Sequence, residues 1–188
     1  MGLEVEAKLK VDTHQPLRDR LTALGARCSG RVSETNHIFD NADRVLLAGD
    51  RGLRVRECRT VEGPAPSATL TYKGPRRDAE YKQREEIEIA VDPPAETLAL
   101  LAALGFVEVF RFEKRRETWR LNDCLIELDE LPYLGCFVEI EAPRAESIRQ
   151  MQELMGLGEL RHIPKSYIAL LVQYCREHGL PGRQIVFS

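Results

Sequence analysis

The chain has 188 residues, 43% of them hydrophobic and 30% charged, with 13 Gly and 10 Pro. That composition suits one globular domain and excludes a disordered or collagen-like chain. Lys and Arg total 27 against 30 Asp and Glu, a formal charge of −3, so a general nucleic-acid binder, which would be basic, is not expected. No run reaches the ~20 apolar residues of a membrane helix, and the opening Met-Gly-Leu-Glu-Val-Glu lacks a signal-peptide pattern. A cytoplasmic protein with no membrane partner is expected. Cys28, Cys58, Cys124, Cys136 and Cys175 are odd in number and widely spaced, as suits reduced packing residues rather than a zinc site or a disulfide framework.

Leu3 to Val11 alternates apolar and charged residues, the period of a strand with two unlike faces. Asp12 and Thr13 offer N-cap oxygens to a helix carrying Leu17, Leu21 and Leu24 and stopping at Gly25. Strands are expected over about 33–40, 51–60, 67–74 and 83–91, with a loop at Gly63-Pro64-Ala65-Pro66. A helix then begins near Asp92-Pro93-Pro94, carries Leu98, Leu101 and Leu104, and stops at Gly105. Three more strands, 107–121, 122–131 and 134–142, turn at Asn122-Asp123 and Pro132–Gly135. One further helix runs through Ile148, Met151 and Leu154 to Gly156. The last follows Pro164 with Ile168, Leu171, Val172 and Cys175 and ends at Gly179. With no repeat or interdomain linker, the expectation is a single α+β domain over residues 1–188, dominated by an antiparallel sheet of about eight strands.

The charges on these strands are sorted by sign. Glu4 and Glu6 share a face continued by Lys8 and Lys10; Arg54 and Arg56 share another, as do Glu86 and Glu88, Lys114 and Arg116, Glu127 and Asp129, and Glu139 and Glu141. Like charges at i, i+2 stand roughly 7 Å apart and repel unless opposite charges lie between them. One such pair is ordinarily a solvated face, where exposed ion pairs are weak. Six pairs, in a sheet whose apolar faces need helices as cover, point instead to a barrel with charged faces inward. Its aqueous interior could hold hard divalent cations on the acids and a polyanion on the Lys and Arg side chains.

Glu4-x-Glu6-x-Lys8 is similar to the opening signature of the CYTH superfamily, the triphosphate tunnel metalloenzymes. The resemblance continues through Arg54 and Arg56, Thr71-Tyr72-Lys73-Gly74, Arg84 to Glu88, Lys114-x-Arg116, Glu127-Leu128-Asp129, Phe137 to Glu141 and Pro164 to Tyr167. It implies an eight-stranded antiparallel barrel forming a polar tunnel flanked by helices. It also implies Mg²⁺ or Mn²⁺ held by Glu4, Glu6, Asp129, Glu139 and Glu141, and a triphosphate cradled by Lys8, Arg54, Arg56, Lys73, Lys114, Arg116 and Lys165. Lys8, Arg56, Lys114 and Arg116 would act on the reacting phosphate. Arg84, Glu86, Glu88, Arg120 and Glu127 join the lining if the strand registers do not slip by one. The family often forms homodimers, although no interface is assignable from these residues. His14, His37, His162 and His178 share no ligand spacing, and Ser166 is an ordinary first-turn Ser beside a phosphate-facing Lys165.

Such a tunnel serves two reactions. Water attacking a terminal phosphorus gives hydrolysis of inorganic triphosphate or a small organic or nucleoside triphosphate. A ribose 3′-hydroxyl attacking the α-phosphorus gives cyclic AMP and pyrophosphate. Hydrolysis leads, because no residue is assignable to adenine; a class IV-type adenylate cyclase is the alternative, and a non-catalytic polyphosphate-binding module the weaker one.

Overall fold

The computed structural model describes residues 2–60, 67–77 and 81–188, the side chains at 2–4, 77, 82 and 83 excepted. The loop expected at Gly63–Pro66 and the Glu4 carboxylate lie outside the described residues. Eight long strands follow the alternating segments: β1 (Gly2–Lys10), β2 (Arg27–Asp40), β3 (Gly52–Thr60), β4 (Ser67–Arg77), β5 (Lys82–Val91), β6 (Val107–Leu121), β7 (Cys124–Leu131) and β8 (Gly135–Ala142), with a two-residue β9 (Gln184–Ile185). The helices are α1 (Gln15–Ala23), α2 (Val45–Ala48), α3 (Pro94–Ala103), α4 (Ala145–Leu154) and α5 (Tyr167–Glu177). α2 and β9 were not anticipated, being too short to show a period.

The strands pair antiparallel in the order β2-β3-β4-β5-β1-β8-β7-β6, and β6 returns to β2 from Arg27↔Arg120 to Asp40↔Val107, closing the circuit. β9 adds a short parallel pairing to β6. Closure leaves the eight strands no free edge, and the pleat sends alternate residues inward. Val5, Ala7, Leu9, Ile126, Leu128, Val138 and Ile140 point outward, where α1 (Leu17, Leu21) and α4 (Ile148, Met151) cover them. α3 covers Val55 of β3 with Leu101. The outer face of β5 has no such cover: Ile87 and Ile89 are 43% and 53% exposed.

At α1 the cap differs from expectation. His14 takes the N-cap position, and its Nε2 lies 2.9 Å from the Phe137 carbonyl oxygen, while Thr13 Oγ1 accepts a long 3.5 Å bond from the Gln15 amide. The Pro16 ring supplies the fixed φ that starts the helix, which stops where Gly25 takes φ +74°, a conformation glycine adopts without strain. Ser166 caps α5 by accepting from the Ala169 amide at 3.2 Å.

α5 sets the shape of the interior. Its Tyr167, Leu171 and Cys175 pack on Phe110, Phe112, Leu131 and Phe137, which lie on the same strand faces as the charged residues. One end of the barrel therefore carries an apolar plug beside α5, and the expected fully aqueous tunnel is instead partly filled by apolar side chains at that end. The fully buried Leu171 is the centre of that plug. Leu171→Ala should cost about 2–5 kcal/mol in urea unfolding, from lost transfer energy and the cavity left behind; a loss below about 1 kcal/mol would show that α5 does not seal this end.

Candidate functional site

A cavity of about 620 Å³ lies within the barrel, lined among others by Glu6, Lys8, Asn36, Arg54, Arg56, Lys73, Lys114, Arg116, Glu127 and Glu139. Strand pleat alone puts them there: Lys8 stands across from Glu139, Glu6 from Glu141, Glu127 from Glu139, and Lys114 from Glu34. Running inward from the plug, β6 reads Phe110, Phe112, Lys114, Arg116; β3 reads Arg54, Arg56; β7 reads Leu131, Asp129, Glu127; and β8 reads Phe137, Glu139, Glu141. Along β6, β7 and β8 the inner face thus passes from apolar residues to charged ones, whereas Arg54 and Arg56 stand level with Phe110 and Phe112 through Ile38 and Asn36, and the acids Glu34 and Glu139 stand level with Lys114 and Lys8.

Arg116 is the hub. Its Nε and Nη2 donate to the two Asp129 oxygens at 2.6 Å each, Nη2 also reaches Glu139 Oε2 at 2.7 Å, Nη1 pairs with Glu127, and Glu34 lies 3.8 Å from Nε. Burial alone would lower its pKa, but Asp129, Glu127 and Glu34 overcome this and push it above the usual arginine value. Asp129 is fully buried and also accepts from Tyr167 Oη at 2.9 Å and Lys114 Nζ at 3.4 Å, so its lone pairs are taken by protein donors. Burial, with Asp129 and Glu139 as like-charged neighbours, pushes the Glu127 carboxyl up to about 7 against the pull of Arg116 and Lys114. Burial and the neighbouring Glu6 and Glu86 raise Glu141 too.

Glu34 is an acid the sequence reading missed. It is 2% exposed and stands 3.3 Å from Lys114 and 3.5 Å from Arg56. Burial opposes its charge, yet Lys114, Arg116, Arg56 and Arg54 outweigh burial and hold it well below the usual carboxylate range. The signal available in sequence was its parity with Asn36 on β2, but a single acid among Ser33, Thr35 and Asn36 makes no charged row. Tyr167 was also passed over as a contributor; Lys8 Nζ sits 4.1 Å above its ring and Lys114 Nζ 5.5 Å.

On β3, burial and the adjacent Arg56 draw Arg54 down to about 10. Arg54 Nε is buried without a hydrogen-bond acceptor, and Arg56 Nε, also without a well-formed hydrogen bond, has only Glu34 Oε2 at 3.5 Å. Such donors cost free energy until an acceptor arrives, and here they border an open cavity. Lys73 pairs with Glu86, and Thr71 donates to Glu88 at 2.8 Å, so both acids face inward. Arg84 lies at the cavity's edge, donating to the Gly74 and Asp50 carbonyls. Arg120 is exposed at the far end, and Lys10 lies outside the cavity, bonded to the Leu134 and Cys136 carbonyls. The Lys165 ammonium turns away to Gln173 Oε1 at 2.7 Å and lines a separate cavity of about 490 Å³ with Arg76, Arg84 and Arg176; only its backbone carbonyl, accepting from Lys8 at 3.2 Å, reaches the site.

Glu127, Asp129 and Glu139 offer carboxylate oxygens within 4.8 Å of one another. An all-oxygen donor set of this kind fits a hard divalent cation such as Mg²⁺ or Mn²⁺. No helix among the described residues is long and apolar enough to cross a membrane.

Comparison with known proteins agrees with this geometry. The family model described as the CYTH domain matches residues 2–167. A Methanocaldococcus jannaschii protein named "Putative adenylate cyclase" is 30% identical over 169 residues, covering 88% of this chain and 93% of that one. The PH1819 protein of Pyrococcus horikoshii superposes with a TM-score of 0.78 at 26% identity, covering 91% of this chain and 99% of that one. HpAC1 of Hippeastrum, described as an adenylyl cyclase by name with a dominant triphosphatase activity, has a TM-score of 0.71 at 20% identity over 96% of this chain and 97% of its own.

The depressed Glu34 pKa gives a pH test. A carboxylate held below its ordinary 4.5 contributes stability that is present above that value and lost as the pH falls toward its folded pKa. Glu34→Gln should therefore be less stable than wild type by about 3 kcal/mol at pH 7, since it leaves buried cations short of a counter-charge. The deficit should shrink between pH 5 and pH 3, read by urea unfolding at each pH. A deficit independent of pH would remove the Glu34 charge from the balance.

Proposed function

Because this chain belongs to the CYTH domain family, we propose that it is a divalent-metal-dependent triphosphatase that hydrolyses a small organic or nucleoside triphosphate within the barrel. The observation that carries this reading is the single cavity that brings apolar residues of α5, β2 and β6, cations of β1, β3 and β6, and carboxylates of β7 and β8 together. An organic group resting against Phe110, Phe112 and Ile38 at the plug leaves the phosphate chain to run inward past Arg54, Arg56 and Lys114. The terminal phosphorus then lies deepest, beside Arg116, Glu127 and Glu139. Bare inorganic triphosphate would satisfy the cations but leave the apolar end empty.

A triphosphate carries about four negative charges near neutral pH, so its chemistry depends on placement and charge neutralisation. The buried Arg54 and Arg56 Nε–H groups, neither of which makes a well-formed hydrogen bond, provide acceptor-seeking donors along the chain, and Lys8, Lys73 and Lys114 add point charges. Glu6, Glu139 and Glu141, with Glu127, are the residues that would hold the metal; Asp129, its oxygens already engaged, positions Arg116, Lys114 and Tyr167. When bound, a divalent cation lowers the pKa of the attacking hydroxyl and screens the charge that develops. Water adds to the terminal phosphorus as its bridging P–O bond breaks, releasing orthophosphate and a diphosphate.

Cyclisation is the second reading, favoured by the name of the Methanocaldococcus relative and by an apolar end that would also receive an adenine. HpAC1, of the same fold, is the precedent for a cyclase-named protein whose dominant activity is hydrolysis.

Product analysis separates the two. With Mg²⁺ or Mn²⁺ and a panel of inorganic triphosphate, thiamine triphosphate, ATP and GTP, orthophosphate should be the inorganic product, and chelation should abolish turnover. Cyclic AMP and pyrophosphate as main products would establish cyclisation instead. Glu139→Gln should lose nearly all turnover while remaining folded. Arg56→Ala should bind a non-hydrolysable triphosphate roughly tenfold to a hundredfold more weakly by calorimetry, the value of a charge-assisted contact of ~1.5–3 kcal/mol. Unchanged affinity would take Arg56 out of the cradle.

A further inference from the structure

We propose that the Arg116 guanidinium is a built-in stand-in for the metal, occupying the acidic cluster until a divalent cation displaces it toward the phosphates. The proposal rests on the triphosphatase reading and concerns how that site is loaded. Its basis is that one guanidinium holds Glu127, Asp129 and Glu139, the three carboxylates among the described residues whose oxygens lie within 4.8 Å of one another. Arg116 bonds Asp129 through Nε and Nη2, Glu139 through Nη2 at 2.7 Å and Glu127 through Nη1. A cation of charge +2 approaching Glu127 and Glu139 meets oxygens whose lone pairs already point at N–H groups. Both cannot have them.

The contacts are unequal in a way that defines a movement. The Asp129 pair is a two-point fork on a fully buried carboxylate, itself pinned by Tyr167 and Lys114. Glu127 and Glu139 line the cavity, whereas Asp129 does not. Metal taking the cavity-facing oxygens would release Nη1 and one Nη2 hydrogen, while Asp129 keeps the guanidinium anchored and bordering the cavity. The freed donors are then available to a terminal phosphate, in line with the fork geometry by which arginine binds phosphate. Metal and triphosphate therefore bind with positive and reciprocal coupling through one side chain. In their absence Arg116 spares the protein the repulsion of three facing carboxylates, which is why burial does not neutralise it.

The test is metal affinity without substrate. Mn²⁺ binding is followed by the loss of the free-ion EPR signal at pH 8, and Mg²⁺ binding by calorimetry, for wild type, Arg116→Met and Lys114→Met. Arg116→Met should bind either ion at least tenfold tighter than wild type. Lys114→Met, which also removes a positive charge beside Asp129, should gain less than threefold. In wild type, the Arg116 Nε–H resonance, assigned by its absence from Arg116→Met or, if that variant does not fold, from Arg116→Lys, should shift when Mg²⁺ is added. A non-hydrolysable triphosphate should tighten metal binding in wild type and lose most of that effect in Arg116→Met. Equal gains in the two Met variants, or an Arg116 signal indifferent to Mg²⁺, would overturn the proposal while metal-dependent turnover of wild type keeps the triphosphatase reading standing. Turnover unaffected by chelator, with no metal binding in any variant, would overturn that reading and the proposal with it.

Discussion

A charge removed from water costs several kcal/mol unless an opposite charge meets it, and the pairing must be complete to break even. This barrel accepts that constraint throughout its middle. Arg116 is 9% exposed and Asp129 wholly buried, and neither would be stable alone. Ladder closure and pleat place like charges in rows on each strand, so the compensation must come from across the barrel. It does: β2 supplies Glu34 to Lys114 and Arg56, β7 supplies Asp129 to Arg116, and β8 supplies Glu139 to both Lys8 and Arg116. The outer apolar faces follow from the same alternation, and α1, α3 and α4 exist to cover them.

The compensation is incomplete at one place. Arg54 keeps a buried Nε–H without an acceptor, Arg56 Nε has only the 3.5 Å contact to Glu34, and their mutual repulsion contributes to the lowered pKa of Arg54. Local strain of this kind is tolerated where binding relieves it. The protein is thus stabilised where its charges alternate and left wanting an anion where two cations stand side by side.

The period-two alternation made all eight long strands, and the charged face of six of them, legible in the sequence, because in a strand that alternation determines geometry directly; β2 and β4 carry no charged row to read. Lys8, Arg54, Arg56, Lys114 and Arg116 could be placed together for that reason. Three features needed the third dimension. Glu34 sits alone among uncharged polar residues and becomes important only because β6 and β3 flank it. Lys165 follows the motif by residue type, yet its rotamer carries the ammonium to Gln173 and outside the main cavity. The plug depends on where α5 docks; an amphipathic helix announces that it will bury Leu171, not that it will do so inside a barrel mouth. The exposed Ile87 and Ile89 make the converse point, since an apolar alternation was read as helix-covered and no helix covers it.

Depth separates the two reactions that one charged constellation permits. β6 runs from Phe110 and Phe112 to Lys114 and Arg116, β8 from Phe137 to Glu139 and Glu141, and Arg54 and Arg56 of β3 stand level with the two Phe residues of β6. In the proposed hydrolysis the organic group would lie against the apolar end and the phosphates among Arg54, Arg56, Lys114 and Lys8, with the terminal phosphorus beside Glu127 and Glu139. Cyclisation needs the α-phosphorus beside the acids, which would push the two outer phosphates past them toward Glu141, where burial and like-charged neighbours already disfavour added negative charge. Two phosphate groups placed there would meet carboxylates rather than arginines. On the proposed reading, that like-charge repulsion around Glu141 is what favours reaction at the terminal phosphorus over the α-phosphorus.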